Sequence, residues 1–292
     1  MFSGSLVAIV TPMRPDGSLD LHAWARLLDF HVANGTSGIV VGGTTGESAT
    51  LLDEEIFELA QRACEHLRGR IPVIAGAGTS GTAATAARAK RLSQLPLAAL
   101  LVVTPAYNRP TQEGLYRHFA AVAEASAVPV IPYNVPSRTA VDMLPATVAR
   151  LAQLSRIVGI KEAVPQVARV RELIGSCGAD FIVLSGDDAT AREAMLAGAR
   201  GVISVTANVV PRAMVELAAA AARGDAARAR EVDRPLLGLH RDLFIETNPI
   251  PAKWLLERMG LVGPGIRLPL TELASTYHAV VGASAHAAGI LF

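Results

Sequence analysis

Eight apolar, β-rich runs recur along this 292-residue chain, each followed by a stretch of another pattern. They cover 6–13, 38–45, 72–78, 98–107, 129–135, 157–163, 181–187 and 201–207. The runs are continuous rather than alternating, as in strands buried on both faces. Pro72, Pro96 and Pro129 stand at or just before run starts, where a proline costs no ladder bond. The segments between them read as amphipathic helices over 21–32, 51–67, 82–92, 112–125, 145–154, 166–174 and 189–197. In the second, Thr50 is the expected cap, with Asp53, Glu54 and Glu55 at the positive helix end and Gly69 just past the last turn.

Eight strands alternating with helices predict a (β/α)8 barrel with additional C-terminal helices. An open doubly wound sheet would more often carry a glycine fingerprint after its first strand, and Thr11-Pro12-Met13 is not one. The expected division is a barrel over 1–224 and a helical extension over 225–292. No low-complexity linker separates the two.

Composition narrows the function classes. Apolar residues make up 51% of the chain and charged ones 18%, enough core and too little charge for long disordered tails. Lys+Arg 27 against Asp+Glu 26 leaves +1, which argues against a nucleic-acid footprint. The longest apolar stretch, 95–103, is about half a bilayer span. The first residues lack the basic region of a signal peptide. Cys64 and Cys177 make neither a disulfide framework nor a metal quartet. A cytoplasmic globular protein is expected, with no membrane and no nucleic-acid partner.

Barrel chemistry belongs at the C-terminal ends of strands. Lys161 follows Ile157-Val158-Gly159-Ile160 and is one of only three lysines, with Lys90 and Lys253. A buried, unpaired amine loses its proton and becomes a nucleophile toward ketones, giving a Schiff base. The alternative is an ion pair with Glu162, which strand alternation makes awkward. Tyr133 is a candidate proton shuttle or a core aromatic. Thr44 and Thr45, among glycines, could hold a carboxylate or simply turn the chain. Arg138 could grip a carboxylate or be one more surface arginine. Glu47 is catalytic or bonds backbone in its loop. Asp187-Asp188 lacks a third ligand for a metal, and Asp188 reads as a helix cap. The seven histidines are scattered, none at a strand end.

Four segments carry a resemblance across the whole chain: Gly43-Thr44-Thr45-Gly46-Glu47-Ser48, Tyr133-Asn134-Val135-Pro136-Ser137-Arg138-Thr139, Gly159-Ile160-Lys161-Glu162-Ala163 and Leu184-Ser185-Gly186-Asp187-Asp188. They resemble the dihydrodipicolinate synthase family, within the pyruvate-dependent class I aldolases and lyases. The resemblance implies that Lys161 forms an imine with pyruvate, which as its enamine attacks L-aspartate 4-semialdehyde, in diaminopimelate and lysine biosynthesis. No metal or organic cofactor is implied, because the covalent pyruvate imine on Lys161 is the electron sink. Tyr133, Thr44 and Tyr107 match the proton relay, and Tyr107 matches a residue supplied by a neighbouring subunit. A homo-oligomer is therefore implied, usually a homotetramer built as a dimer of dimers. Thr45 matches a ligand of the pyruvate carboxylate and Arg138 the grip on the second substrate. Gly186 and Ile203 match backbone contacts near the site.

The runner-up is a sialic-acid or 2-keto-3-deoxy-sugar-acid lyase, which resembles this chain at Lys161 and Tyr133 but usually lacks the arginine at 138. A barrel that has lost catalysis is disfavoured by the intact Lys161, Tyr133, Thr44 and Tyr107. One departure concerns feedback by lysine. Ser48 and Ala49 fit the lysine-inhibited relatives, whereas Asp53, Ile56, Ser80, Ala84 and Ala106 replace the polar, acidic and aromatic ligands at the matching positions. Weak or absent inhibition by L-lysine is expected.

Overall fold

The computed structural model describes residues 2–292. Its strands are β1 (Gly4–Ala8), β2 (Gly38–Val41), β3 (Val73–Gly76), β4 (Ala99–Val103), β5 (Val130–Asn134), β6 (Gly159–Glu162), β7 (Ile182–Ser185) and β8 (Gly201–Ser204). All pair in parallel with their chain neighbours, and β8 closes on β1. The expected (β/α)8 barrel is the fold.

Strand alternation explains why the runs are apolar throughout. Leu6, Val40, Ile74, Leu101, Ile131 and Leu184 point inward and fill the barrel. Their neighbours Val7, Ile39, Val73, Leu100 and Val183 point outward, into the layer shared with the helices. Fully burying one such side chain contributes about 2 kcal/mol.

The helices are α1 (Leu21–Ala33), α2 (Asp53–Leu67), α3 (Thr82–Leu92), α4 (Gln112–Ala125), α5 (Pro136–Thr139), α6 (Pro145–Leu151), α7 (Val167–Cys177), α8 (Ala191–Leu196) and α9 (Pro211–Ala222). Beyond them lie α10 (Ala226–Asp233), α11 (Leu237–Asp242), α12 (Ile250–Arg258) and α13 (His278–Ala287). Helix α10 packs on α8 and α9, and α11 on α13. The segment joining α11 to α12 lies over the C-terminal mouth of the barrel.

Several boundaries differ from the expected ones. The apolar runs outlast the strands: β2 stops at Val41, where Gly42 turns the chain at φ 61°. The rest of that run stays apolar or small because the rim loop is itself buried. Thr50 does not cap α2. Its hydroxyl donates to the Glu47 carbonyl at 3.1 Å, and Leu52 is the N-cap, its N–H bonded to the Glu55 carboxylate at 2.9 Å. Arg68 is the C-cap of that helix, in the left-handed region, and Gly69 follows at φ 77°, just past the end as expected. Asp188 does not cap α8 either. Asp187 accepts from the Thr190 N–H and hydroxyl, while Asp188 turns inward. Helix α7 runs on to Cys177, whereas α6 and α8 are shorter than their amphipathic patterns.

Among the described residues no helix is long and apolar enough to cross a membrane.

Candidate active site

The register of two strands assembles the centre. Tyr133 on β5 pairs with Lys161 on β6, and Asn134 with Glu162. Alternation then sends Tyr133 and Lys161 inward together and their neighbours outward. Lys161 Nζ lies 4.1 Å from the centroid of the Tyr133 ring. Space for the lysine depends on a third strand. A Cβ at Gly186, just past β7, would fall 2.9 Å from Lys161 Cε, so any side chain there would displace the amine.

Lys161 is 5% exposed and makes no ion pair or hydrogen bond among the described residues. Burial is the main cause that pulls its pKa from 10.5 to about 7, with Asp188 opposing and Arg138 adding to the fall. Much of the amine is then neutral near pH 7. Burial pushes the Tyr133 phenol up to about 12, while Arg138 and the Thr44 hydroxyl pull it back. A phenol held that high carries its proton at neutral pH and can lend or reclaim it without resting as an anion.

The Lys161–Glu162 ion pair does not form. Glu162 points outward, accepts from the Asn134 amide at 3.1 Å and the Val164 N–H at 2.8 Å, and has Arg169 at 3.9 Å. Burial raises its pKa to about 7 against those contacts.

These side chains border a cavity of about 600 Å3 at the C-terminal mouth. Thr44, Thr45, Tyr133, Arg138, Lys161 and Gly186 all line it. Thr45 Oγ1 accepts a hydrogen bond from Asn248 Nδ2 at 3.0 Å, which leaves its own proton for an anion. Arg138, on the short helix α5, donates to the Asn248 carbonyl at 3.4 Å. Arg138 is otherwise exposed, and it borders the cavity.

Two expected residues stand apart. Ile203 packs inside the barrel against the interior cluster, and Val205 beyond it reaches the cavity wall. Tyr107 is 96% exposed, holds φ 73°, and does not border the cavity of its own chain. Glu47 is not catalytic in placement. It is buried at φ 59°, accepts from Lys253 Nζ at 2.5 Å and from the Arg267 N–H at 3.2 Å, and ties the Thr44–Thr45 loop to α12.

The profile of the Dihydrodipicolinate synthetase family matches residues 1–288. The 4-hydroxy-tetrahydrodipicolinate synthases of Methylococcus capsulatus and Alkalilimnicola ehrlichii are 54% and 53% identical over the full length of both chains. The dihydrodipicolinate synthase of Acinetobacter baumannii, solved in complex with pyruvate, superposes with a TM-score of 0.98 at 46% identity, again covering both chains completely. This chain belongs to that family.

The reading from residues missed what roofs the family's site in this chain. Phe244, Ile245, Glu246, Thr247 and Asn248 lie over the cavity, and Asn248 holds both Thr45 and Arg138. The available signal was local: Glu246-Thr247-Asn248 is a polar cluster inside a long Ala-, Leu- and Arg-rich stretch. The histidines stay out of the cavity. One buried linkage runs from Thr206 through His240 to Asp233 and on to Arg192. Among the described residues no cluster of three His, Cys, Asp or Glu side chains is placed to hold a metal ion.

Proposed function

We infer that this chain condenses pyruvate with L-aspartate 4-semialdehyde to 4-hydroxy-tetrahydrodipicolinate, with Lys161 as the Schiff-base lysine. The observation that carries the reading is a buried amine with no carboxylate partner, against a tyrosine ring, at the open end of the barrel. The amine adds to the ketone carbon of pyruvate, and loss of water leaves an iminium. The iminium draws electrons from the methyl carbon, which gives up a proton and becomes an enamine. That carbon attacks the aldehyde, and the aldehyde oxygen takes up a proton. The amine of the second substrate then closes onto the iminium carbon and expels Lys161. Lysine nitrogen is the electron sink throughout, so no further cofactor is required.

Tyr133 and Thr44 carry protons in this scheme, Tyr107 of a neighbouring copy completes the relay, and Thr45 binds the pyruvate carboxylate. Gly186 borders the bound pyruvate, and Ile203, inside the barrel, is the matching backbone contact near the site. The exposed, left-handed Tyr107 supports a homo-oligomer, read here as a dimer of dimers. Folded single subunits should then be inactive, and a fully active monomer overturns that part. Cytoplasmic location belongs to the same reading, because both substrates are soluble metabolites of amino-acid biosynthesis, at the first step toward diaminopimelate and lysine.

Supplying pyruvate with a panel of aldehydes tests the reading. Aspartate 4-semialdehyde should be consumed in preference to sugar-derived aldehydes. Arg138→Ala should lower kcat/KM for it by about 2 kcal/mol, the loss of a charged hydrogen-bonded grip, and leave pyruvate imine formation nearly intact. Preference for a sugar-derived aldehyde would overturn the assignment, and equal loss in both steps would make Arg138 structural.

A further inference from the structure

Asp188 is 3% exposed, just beyond β7. Its Oδ2 accepts from the backbone N–H groups of Val205 and Thr206, at 2.8 and 2.9 Å. Its Oδ1 is buried and has no hydrogen-bond partner. A buried carboxylate oxygen without a donor is costly, and native interiors contain few of them. No cation forms an ion pair with this carboxylate among the described residues. Two residues before it, Gly186 gives way to the Lys161 side chain, and Val205, which it holds, lines the cavity with Lys161.

The same neighbourhood contains a cation that changes along the reaction. Lys161 begins as an amine, becomes an iminium with a fixed positive charge, and returns to an amine. The charged and titratable groups around it are few. Tyr133 faces it from β5 and Arg138 from α5. Asp187 is bonded to Thr190, Glu246 lies in the roof, and Glu162, on its own strand, points to the other face. Arg138 repels a cation at Lys161, and Asp188 is the group that attracts one.

We propose that Asp188 is a positioning residue for the Schiff base: its unpaired buried carboxylate is the fixed counter-charge of the iminium at Lys161. The proposal rests on Lys161 as the imine-forming lysine. It explains the cost of the orphan oxygen. A carboxylate in direct contact would hold the amine protonated and spoil the nucleophile. One set back, with its other oxygen locked to two backbone N–H groups, leaves the free amine usable and meets the charge once it is covalently fixed.

Asp188→Asn tests this, because an amide oxygen can keep the bonds to Val205 and Thr206 while the charge is lost. Borohydride trapping of pyruvate, read by mass per chain across pH, gives two numbers: the midpoint of the acid limb and the occupancy at saturating pH. Without the counter-charge the Lys161 ammonium is less stable, so the limb should move to lower pH by about one unit. The cationic iminium is also less stable, so apparent pyruvate affinity should fall roughly tenfold. A residue that only shaped the loop would lower occupancy without moving the limb. If the amide variant does not fold, Asp188→Ser, whose hydroxyl can still accept one N–H, supplies the same comparison. A folded variant with an unshifted limb overturns the role of Asp188 alone. Failure of the wild-type chain to trap pyruvate at Lys161 overturns the Schiff-base reading, and this role with it.

Discussion

Lys161 and Lys253 are buried to the same degree, 5% and 4% exposed, and differ in what answers their charge. Lys253, on α12, meets the Glu47 carboxylate at 2.5 Å. Lys161, on β6, meets an aromatic ring and a glycine. Burial pulls both amines below the usual lysine range, but Glu47 pulls Lys253 back through both its charge and its hydrogen bond. Only a more remote carboxylate acts on Lys161, and its pKa falls to about 7. Burial by itself does not make a nucleophile. Burial without a contacting partner does, and the barrel supplies it by alternation, which turns the adjacent Glu162 to the far side of the sheet.

The sharpest way to break this comparison is to ask which amine reacts. Borohydride with pyruvate should add one pyruvyl group per chain at Lys161, and Lys161→Ala should abolish it. Labelling at Lys253 or Lys90 would sink the mechanism. The rate of trapping should rise with pH through about 7 and level off above it, since only the deprotonated amine attacks and its pKa is lowered. A limb near the ordinary lysine value would mean that burial does not activate this group.

A smaller effect is expected at the paired lysine. Lys253→Met leaves Glu47 charged, buried and held only by the Arg267 N–H, so stability should fall by about 3 kcal/mol. Glu47→Gln in the same chain should recover part of the loss, and urea unfolding of the two single variants and the double reads the coupling. Trapping at Lys161 should persist in every folded variant. Simple additivity would mean that the pair is not a coupled unit.

The smallest expected effect applies the same rule to a third charge. Asp53 is the one acidic residue among positions 53, 56, 80, 84 and 106, which match the lysine-binding positions of lysine-inhibited relatives. Here its carboxylate is already bonded to Arg88, and the neighbouring positions are Ala84 and Ala106. An ammonium brought there would find no free partner. L-lysine should therefore not reach half-inhibition below about 1 mM, a binding free energy of about −4 kcal/mol. Initial rates across millimolar lysine decide it, and submillimolar inhibition would mean that Asp53 releases Arg88 for the ligand.

Much of this molecule was legible one residue at a time. Continuous apolar runs betrayed strands dry on both faces, and their number closed the barrel. Lys161 stood out because an ammonium in such a run needs a reason. Tyr133, Thr44, Thr45 and Arg138 were found from strand ends and Gly186 through the family resemblance, and all five border one cavity. Asp188 was misread because a carboxylate before a helix looks the same whether it caps that helix or turns inward. Asp187 instead accepts from Thr190, which is the N-cap of α8, and the bonds of Asp188 to Val205 and Thr206 belong to a strand neighbour that local pattern does not reveal.

Periodicity and residue chemistry, which act over a few neighbours, determined the barrel and the strand-end loops and singled out the buried amine of Lys161. Tertiary structure decided which charges have partners. Glu47 with Lys253 lie 206 residues apart and Asn248 with Thr45 203. Such pairs depend on how the C-terminal helices settle over the barrel mouth, and loop closure over that distance leaves no trace in local sequence.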